Sequence, residues 1–549
     1  MAKSLSPDNA AIADALERYA NLLDLAGSGY YTVRAYRRAA ELIRALPTPV
    51  AKLVRDRRVQ ELRGIGPGLA AVLEEVVETG GIARAKELEG VVEPELVGLG
   101  RFLGIGPQRA VELGRALGAR TADELRAAIE AGRVSSLPGF GPKTEAKFRA
   151  ALTREQQTRP RRGLLLNRAR ALVETIADAV GGEPAGDPRR WADVSNSLAV
   201  VVRAPRAKEA LDRFASLPLI VSVVDRSPRR ALGLTVEGVP VELVAAEPKR
   251  FGSELVRATG SPEFVASLGE LPDAPDEESL FRALDLPFVP PELREGKSLR
   301  ATSSDVPRLV ELSEIRGDLH VHTDWSDGKA TVREMAEAAR DLGYEYLAIC
   351  DHTRNVRVVP GLDADDIRRQ GEEIAAVNEQ LAPFRVLRGS ECDILPDGSL
   401  DLPDDVLLEL DWVQASVHAG QRATAEEMTK RVLEALRHPA VSCLSHPKGR
   451  IINHRPENAL DLERVFEVML EQGVAVETNG LPDRLDLRDV YIRQAIEAGV
   501  AVVCSTDAHS TRGLGNMQLA VATARRGWAT APHILNTRPL AGLPLGPRP

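Results

Sequence analysis

Histidine is missing from the first 319 residues of this 549-residue chain; all nine lie beyond them. The N-terminal three-fifths must therefore work without imidazole. Cysteine is scarce too, with Cys350, Cys392, Cys443 and Cys504 the full set. An even number does not pair them, and thiols spread over apolar runs fit unpaired packing in a reducing cytoplasm. No apolar stretch reaches membrane-spanning length and the charged N-terminus lacks a signal-peptide apolar region, so a soluble, cytoplasmic protein without a membrane partner is expected. No long low-complexity tract is present.

At this length and 44% hydrophobic content the chain exceeds what one core usually organises, so three or four units are expected. Boundaries fall near Gln156 to Gly163, which is polar and basic, and near Leu286 to Val306, which contains Pro287, Pro290 and Pro291. The expected domains are residues 1–82, 83–160, 163–300 and 314–549.

Six short pieces carry candidate metal ligands: His320-Val-His322 with Asp327, Asp351-His352, Glu391, His418, His446, and Asp507-Ala-His509. Residues two apart on a strand share a face, so His320 and His322 can close on one ion while Leu319 and Val321 enter packing. Asp507 and His509 repeat that spacing. Apolar runs at Tyr346 to Cys350, Trp412 to Val417, Val441 to Leu444 and Val500 to Ser505 each end just before a ligand. Helix-like segments such as Val332 to Leu342 and Leu462 to Glu471 separate them, which reads as a parallel α/β arrangement. In α/β barrels functional groups gather at the carboxyl ends of the strands, where these ligands would be. A mixed imidazole and carboxylate set suits borderline divalent ions, and the lack of thiolate ligands argues against a structural zinc knot. His438, His454 and His533 read as ordinary surface or packing residues.

The pieces Asp318-Leu-His-Val-His-Thr-Asp-Trp-Ser-Asp-Gly328, Cys350-Asp-His-Thr353, Gly389-Ser-Glu391, Ser416-Val-His418, Ser445-His-Pro447 and Ser505-Thr-Asp-Ala-His509 resemble the successive motifs of the PHP (polymerase and histidinol phosphatase) superfamily over roughly residues 314 to 537. The resemblance implies a distorted seven-stranded barrel holding two or three divalent ions, manganese first and zinc or iron as alternatives, that hydrolyses phosphate esters. The implied ligand set is His320, His322, Asp327, His352, Glu391, His418, His446, Asp507 and His509, with His320, His322, Glu391 and Asp507 central to catalysis. Lys448 and Arg450 could hold a non-bridging phosphate oxygen, or form a solvated basic turn. Asp351 could orient a ligand from behind instead of binding.

Three Gly-apolar-Gly-Pro turns mark the N-terminal part: Gly64-Ile-Gly66-Pro67, Gly104-Ile-Gly106-Pro107 and Gly139-Phe-Gly141-Pro142, the last followed by Lys143. Each precedes a helix-like stretch, and a glycine turn at a helix start brings backbone N–H groups and a favourable dipole to an anion. Repetition favours helix-hairpin-helix contacts to the DNA backbone, independent of sequence and dependent on salt. Charge points the same way. The formal net charge is −9, yet the segment up to Arg162 carries roughly six more basic than acidic residues. Arg34, Arg37, Arg38, Arg55, Arg57 and Arg58 add a basic cluster, or simply solvated helix faces.

From Pro7 to about Ala151 the order of segments, including Thr32-Val-Arg-Ala-Tyr-Arg-Arg38, resembles the lyase-like and fingers regions of family X DNA polymerases. With the PHP module, the whole chain resembles the bacterial PolX family. The resemblance implies an all-α N-terminal region, an α+β nucleotidyltransferase-like middle and a C-terminal α/β barrel. The middle departs from that family's pattern. Asp187 stands in Ala185-Gly-Asp-Pro-Arg-Arg190 where a serine is usual, and Ser197 and Ala199 occupy the places of the catalytic Asp-x-Asp pair; Glu242 alone remains. Nucleotidyl transfer needs paired carboxylates to hold two magnesium ions, so loss of template-directed synthesis is expected. A shifted alignment offers only Asp193. Lys86, nearest in sequence to a family X lyase lysine, reads as a surface lysine. The function expected is a DNA-repair phosphodiesterase with 3′-to-5′ exonuclease or 3′-end-cleaning action, with abasic-site incision as an extension. A small-molecule phosphate monoesterase and a non-catalytic DNA scaffold are the alternatives.

Overall fold

The computed structural model describes residues 9–25, 30–45, 49–62, 65–89, 107–119, 122–146, 148, 163–296, 306–356 and 359–548. Two compact units emerge: Met1–Arg161 with Ile176–Gly182 and Val202–Ala246, and Arg162–Thr175 with Glu183–Val201 and Glu247–Pro549. The expected 163–300 region is thus shared between both.

In the first unit, helices Asn9–Leu25, Tyr30–Ala45, Val50–Arg55, Pro67–Thr79 and Ala83–Glu89 enclose one apolar core around Leu16, Ile43, Val50 and Leu73. The Pro67–Thr79 helix starts on Gly66 with proline at its first position, where the missing N–H costs nothing, and ends on Gly80 at φ +76. Helices Pro107–Leu117 and Ala122–Glu130 share a smaller core with Phe140 and Phe148. The third glycine turn is described: Gly139 has φ +81, and a helical turn begins with Thr144 N donating to the Gly141 carbonyl. Gly64, Gly104 and Gly106 lie outside the described residues.

The short strands β1 (Leu164–Leu165) and β3 (Val194–Ser195) pair antiparallel. A five-stranded sheet follows, ordered β2 (Gly182–Ala185), β4 (Leu198–Arg203), β7 (Pro240–Ala246), β6 (Arg230–Thr235) and β5 (Ile220–Arg226). Its last three strands are an antiparallel meander. This helix-flanked sheet matches the α+β middle expected from sequence.

The second unit contains seven strands in sequential order: β8 (Gly317–Val321), β9 (Tyr346–Ile349), β10 (Arg385–Asp393), β11 (Trp412–Ser416), β12 (Cys443–Leu444), β13 (Ala475–Asn479) and β14 (Val502–Ser505), every neighbouring pair parallel. Ring closure comes from a parallel bridge between Val321 and Ala508, with His322 N donating to the Ala508 carbonyl and Asp507 N to the His320 carbonyl, each at 2.9 Å. The crossover helices start where their sequences say they should. Thr331 with Glu334 caps Val332–Asp341, and Thr424 with Glu427 caps Ala425–Leu436, each pair satisfying two otherwise orphaned N–H groups.

Inside the ring, Leu319, Tyr346, Ala348, Cys350, Leu387, Trp412, Cys443, Ala475 and Val503 form the packed interior. The four cysteines are buried and unpaired. One detail departs from simple strand alternation. β8 carries an extra residue between Asp318 and Val321 relative to β9, so Leu319 enters the barrel interior while Val321 packs outward with Met335 and Ile374. Bulges re-aim side chains next to functional sites, and this one precedes His322.

Candidate metal centre

All nine expected ligands meet at the carboxyl ends of the strands. Glu391, fully buried on β10, forms the floor: Oε1 lies 2.8 Å from His446 Nε2 and 3.2 Å from His418 Nε2, and Oε2 lies 2.8 Å from His352 Nδ1. The same Oε2 is 3.6 Å from Nε2 of both His320 and His322, whose Nε2 atoms are 3.2 Å apart. Asp507 Oδ1 approaches His322 Nε2 at 3.0 Å, and Asp507 adopts φ +52, a left-handed conformation unusual outside glycine that concentrates at functional sites. Asp327 Oδ1 lies 3.3 Å from His509 Nε2 and 3.7 Å from His352 Nε2. Three overlapping groups result: His322, Asp327, His352 and His509; His320, His322 and Glu391; His352, Glu391 and His418.

A cation accounts for what the protein alone leaves unsatisfied. Both oxygens of Glu391, Oδ1 of Asp507 and Nδ1 of His322, His352 and His446 are buried without a hydrogen bond. Such atoms cost about 1–3 kcal/mol each when left unpaired, and their concentration in one bowl fits divalent ions better than it fits a folding core. The opposite edges of several rings are fully employed. His320 Nδ1 donates to Glu477 Oε1 at 2.7 Å, His418 Nδ1 to Asp393 Oδ1 at 2.8 Å, and His509 Nδ1 to the Asp507 carbonyl at 2.8 Å. Each of these bonds fixes the tautomer that turns the Nε2 lone pair into the bowl.

Electrostatics reinforce this. Burial alone would raise the Glu391 carboxyl, but positive charge on the His418, His352 and His320 rings outweighs it and holds it well below the usual carboxylate range, a role that a bound cation would take over as those rings turn neutral lone pairs inward. Burial, with His352 beside it, brings the His322 imidazolium down to about 3, so the ring is neutral at physiological pH.

Residues 318–479 match the PHP domain family and residues 7–82 a helix-hairpin-helix domain family. The DNA polymerase/3′-5′ exonuclease PolX of Bacillus subtilis (strain 168) is 34% identical over 556 residues, covering 96% of each chain. The chain belongs to the bacterial PolX family. Probable phosphatases of Acetivibrio thermocellus and Clostridium acetobutylicum are each 31% identical over only 36% of this PolX-family chain, though over 81% of their own length.

Several residues that build the PolX-family site escape sequence reasoning. Glu477 accepts from His320, Ser445 Oγ, Ser505 Oγ and the His446 backbone. Asp393 backs His418, and Asn479 Nδ2 donates to Asp507 Oδ2 at 2.8 Å. A lone carboxylate in the apolar run Val474 to Thr478 was the available signal for Glu477, and the two-residue spacing from Glu391 was the signal for Asp393. Asp351 lies behind the ligands, as the orienting alternative had it: its oxygens accept from Thr323, Ser326 and Gln370, which orders the loop leading to Asp327.

Lys448 and Arg450 depart from the phosphate-contact expectation. Both are buried; Lys448 Nζ donates to the Leu460 carbonyl at 3.0 Å, and Arg450 pairs with Asp193 at 2.7 Å and donates to the carbonyls of Arg484 and Leu485. Both side chains are turned toward the protein instead of toward the bowl's mouth by these contacts. Gly66, Gly141 and Lys143 are exposed, as DNA-backbone contacts require. Lys86 falls in the Ala83–Glu89 helix.

The polymerase-like turn is laced with ion pairs. Arg189 makes a two-pronged contact to Glu277 at 2.6 and 2.8 Å, Arg190 pairs with Asp187 at 2.6 Å and with Glu295 at 2.9 Å, and Arg294 joins Glu277. Ser197 lies exposed just before β4, Ala199 is buried on β4, and Glu242 on β7 is paired with Arg230 at 2.9 Å.

Proposed function

We propose that this protein is a DNA-repair phosphodiesterase that trims or cleans DNA 3′ ends, with 3′-to-5′ exonuclease action, and that it has lost template-directed synthesis. The observation that carries the reading is the bowl of buried, unsatisfied donor atoms at the barrel mouth in a chain whose other end matches a DNA-backbone-binding hairpin family. Two or three divalent ions, manganese foremost, would be held by His320, His322, Asp327, His352, Glu391, His418, His446, Asp507 and His509. When bound, such ions neutralise a phosphodiester and lower the pKa of water for attack on phosphorus. The chain's own part is preorganisation: Glu477 and Asp393 aim their imidazoles, neutral His322 offers a lone pair, and Asn479 holds the Asp507 carboxylate. The hairpins would grip the backbone without reading bases.

Loss of synthesis is supported by the absent carboxylate pair and by the internal ion pairs of Arg189 and Arg190, which neutralise the turn that would meet a triphosphate. End-labelled duplex incubated with manganese should yield a 3′-shortened ladder, and a gapped duplex should incorporate no labelled nucleotide with manganese or magnesium. Incorporation would overturn the second half of the proposal. A monoesterase reading gains support from the probable phosphatases that match the barrel portion. Turnover of p-nitrophenyl phosphate without any oligonucleotide cleavage would select it, and tight DNA binding with neither activity would select a scaffold.

A further inference from the structure

The stretch around Asp193 is tied to the rest of the second unit at three points. Arg526 Nη1 donates to the Arg190 carbonyl at 2.7 Å, Leu166 N to the Asp193 carbonyl at 3.1 Å, and Asn453 Nδ2 to the Gly163 carbonyl at 2.9 Å. From this anchored stretch the Asp193 carboxylate reaches Arg450, Oδ2 lying 2.7 Å from Nη1. Arg450 then donates to the Arg484 carbonyl at 2.6 Å and to the Leu485 carbonyl. One guanidinium thus ties three segments: the polymerase-like stretch, the loop after His446, and the loop after β13.

That last loop borders the bowl. Asn479 N donates to the Asp486 carbonyl at 2.7 Å and Leu487 N to the Glu477 carbonyl at 3.0 Å. The Arg484 guanidinium, 19% exposed, lies with Nε 3.9 Å from Asp507 Oδ2. Among the described residues its side chain makes no hydrogen bond, so its forked donors stay open beside the ligand set. A forked guanidinium matches two oxygens of one phosphate.

Resting on the phosphodiesterase reading, we propose that Asp193 is a positioning residue of the barrel site: through Arg450 it sets the 481–487 loop and holds the Arg484 guanidinium where an entering phosphate meets it. Without Asp193 the buried Nη1 of Arg450 loses its charged partner. Arg450 then turns toward water and releases the two carbonyls that define the loop. The acid that a shifted reading would offer to nucleotide transfer is committed here to hydrolysis.

The test compares full-length, manganese-loaded parent with Asp193→Ala, Asp193→Asn, Asp193→Glu, Arg484→Ala and the Asp193→Ala/Arg484→Ala pair. Turnover of an end-labelled oligonucleotide and of p-nitrophenyl phosphate is measured alongside bound manganese and the rate of tryptic cutting after Arg484. Asp193→Ala and Arg484→Ala should each raise KM about fivefold to tenfold, as expected for loss of a charge-assisted contact, with manganese content unchanged. Asp193→Asn should raise it less and Asp193→Glu should restore most of it. The pair should be no worse than Arg484→Ala alone, because Asp193 acts through Arg484, and Asp193→Ala should be cut faster after Arg484. An unchanged KM and cutting rate in Asp193→Ala, losses that multiply in the pair, or lost manganese in both Asp193→Ala and Asp193→Asn would overturn the proposal. A parent that turns over only the monoester sinks the DNA reading, yet the coupling is still scored on that substrate. A parent with no turnover sinks the enzyme reading, and the cutting rate alone then decides the coupling.

Discussion

The barrel bowl and the polymerase-like turn both gather carboxylates with basic side chains, imidazoles in one and guanidinium groups in the other, and settle them in opposite ways. In the bowl, Glu391, Asp507 and three imidazoles keep buried atoms without hydrogen bonds, a cost that ligand binding offsets. In the turn, Arg189, Arg190 and Arg294 meet Glu277, Glu295 and Asp187, and charge is cancelled inside the chain. Donors left unspent are open to a ligand, whereas donors drawn into internal ion pairs serve the fold instead.

The largest expected effect tests the unspent side. His320→Ala with His322→Ala should reduce manganese-dependent DNA cleavage by at least about a hundredfold, read as disappearance of the shortened ladder, with DNA binding by the hairpins retained. Equal cleavage by that variant would erase the contrast. The spent side is tested by Glu277→Gln, which leaves two guanidinium groups without their buried partner and should cost about 3 kcal/mol in denaturant unfolding. Burial alone would raise the Glu277 carboxyl, but Arg189 and Arg294 bring it down to about 2 from 4.5. Because the folded value is depressed, its stabilisation is complete above the ordinary carboxyl range and fades as pH falls from about 4.5 toward 2; the variant's stability should show less of that decline.

Smaller effects sharpen the comparison. Glu477→Gln should weaken manganese binding about tenfold or more by loosening the His320 tautomer, measured by titration. Removing ions with a chelator should lower the thermal midpoint by a few degrees, since a ligand at a hundred times its Kd stabilises by about 2.7 kcal/mol, while the polymerase-like turn gains or loses nothing directly. Lys143→Ala should weaken DNA binding modestly and flatten its salt slope by about one unit.

Much of the bowl was legible in the sequence because His352, His418, His446 and Asp507 each follow an apolar run that reads as a buried strand, and because Thr331 with Glu334 and Thr424 with Glu427 announce the crossover helices. The bulge in β8 was not, since alternation assigns Leu319 and Val321 to one face and only the pairing with β9 shows the extra residue. The fate of Lys448 and Arg450 was equally hidden: a basic pair behind a ligand looks the same whether it faces solvent or the carbonyls of Leu460, Arg484 and Leu485. Glu477 was readable only as a carboxylate out of place in an apolar run, and Asp393 only by its two-residue spacing from Glu391.

The seam between β8 and β14 has a kinetic corollary. The amides and carbonyls that zip it belong to His320, His322, Asp507 and Ala508, so the residues that would grip the ions are themselves the last stitches of the ring. Such distant partners meet late in folding, and any breathing of this seam parts the first ligands from the last. Ion release and seam opening should therefore be one event in hydrogen exchange, with metal acting as the latch on the whole barrel.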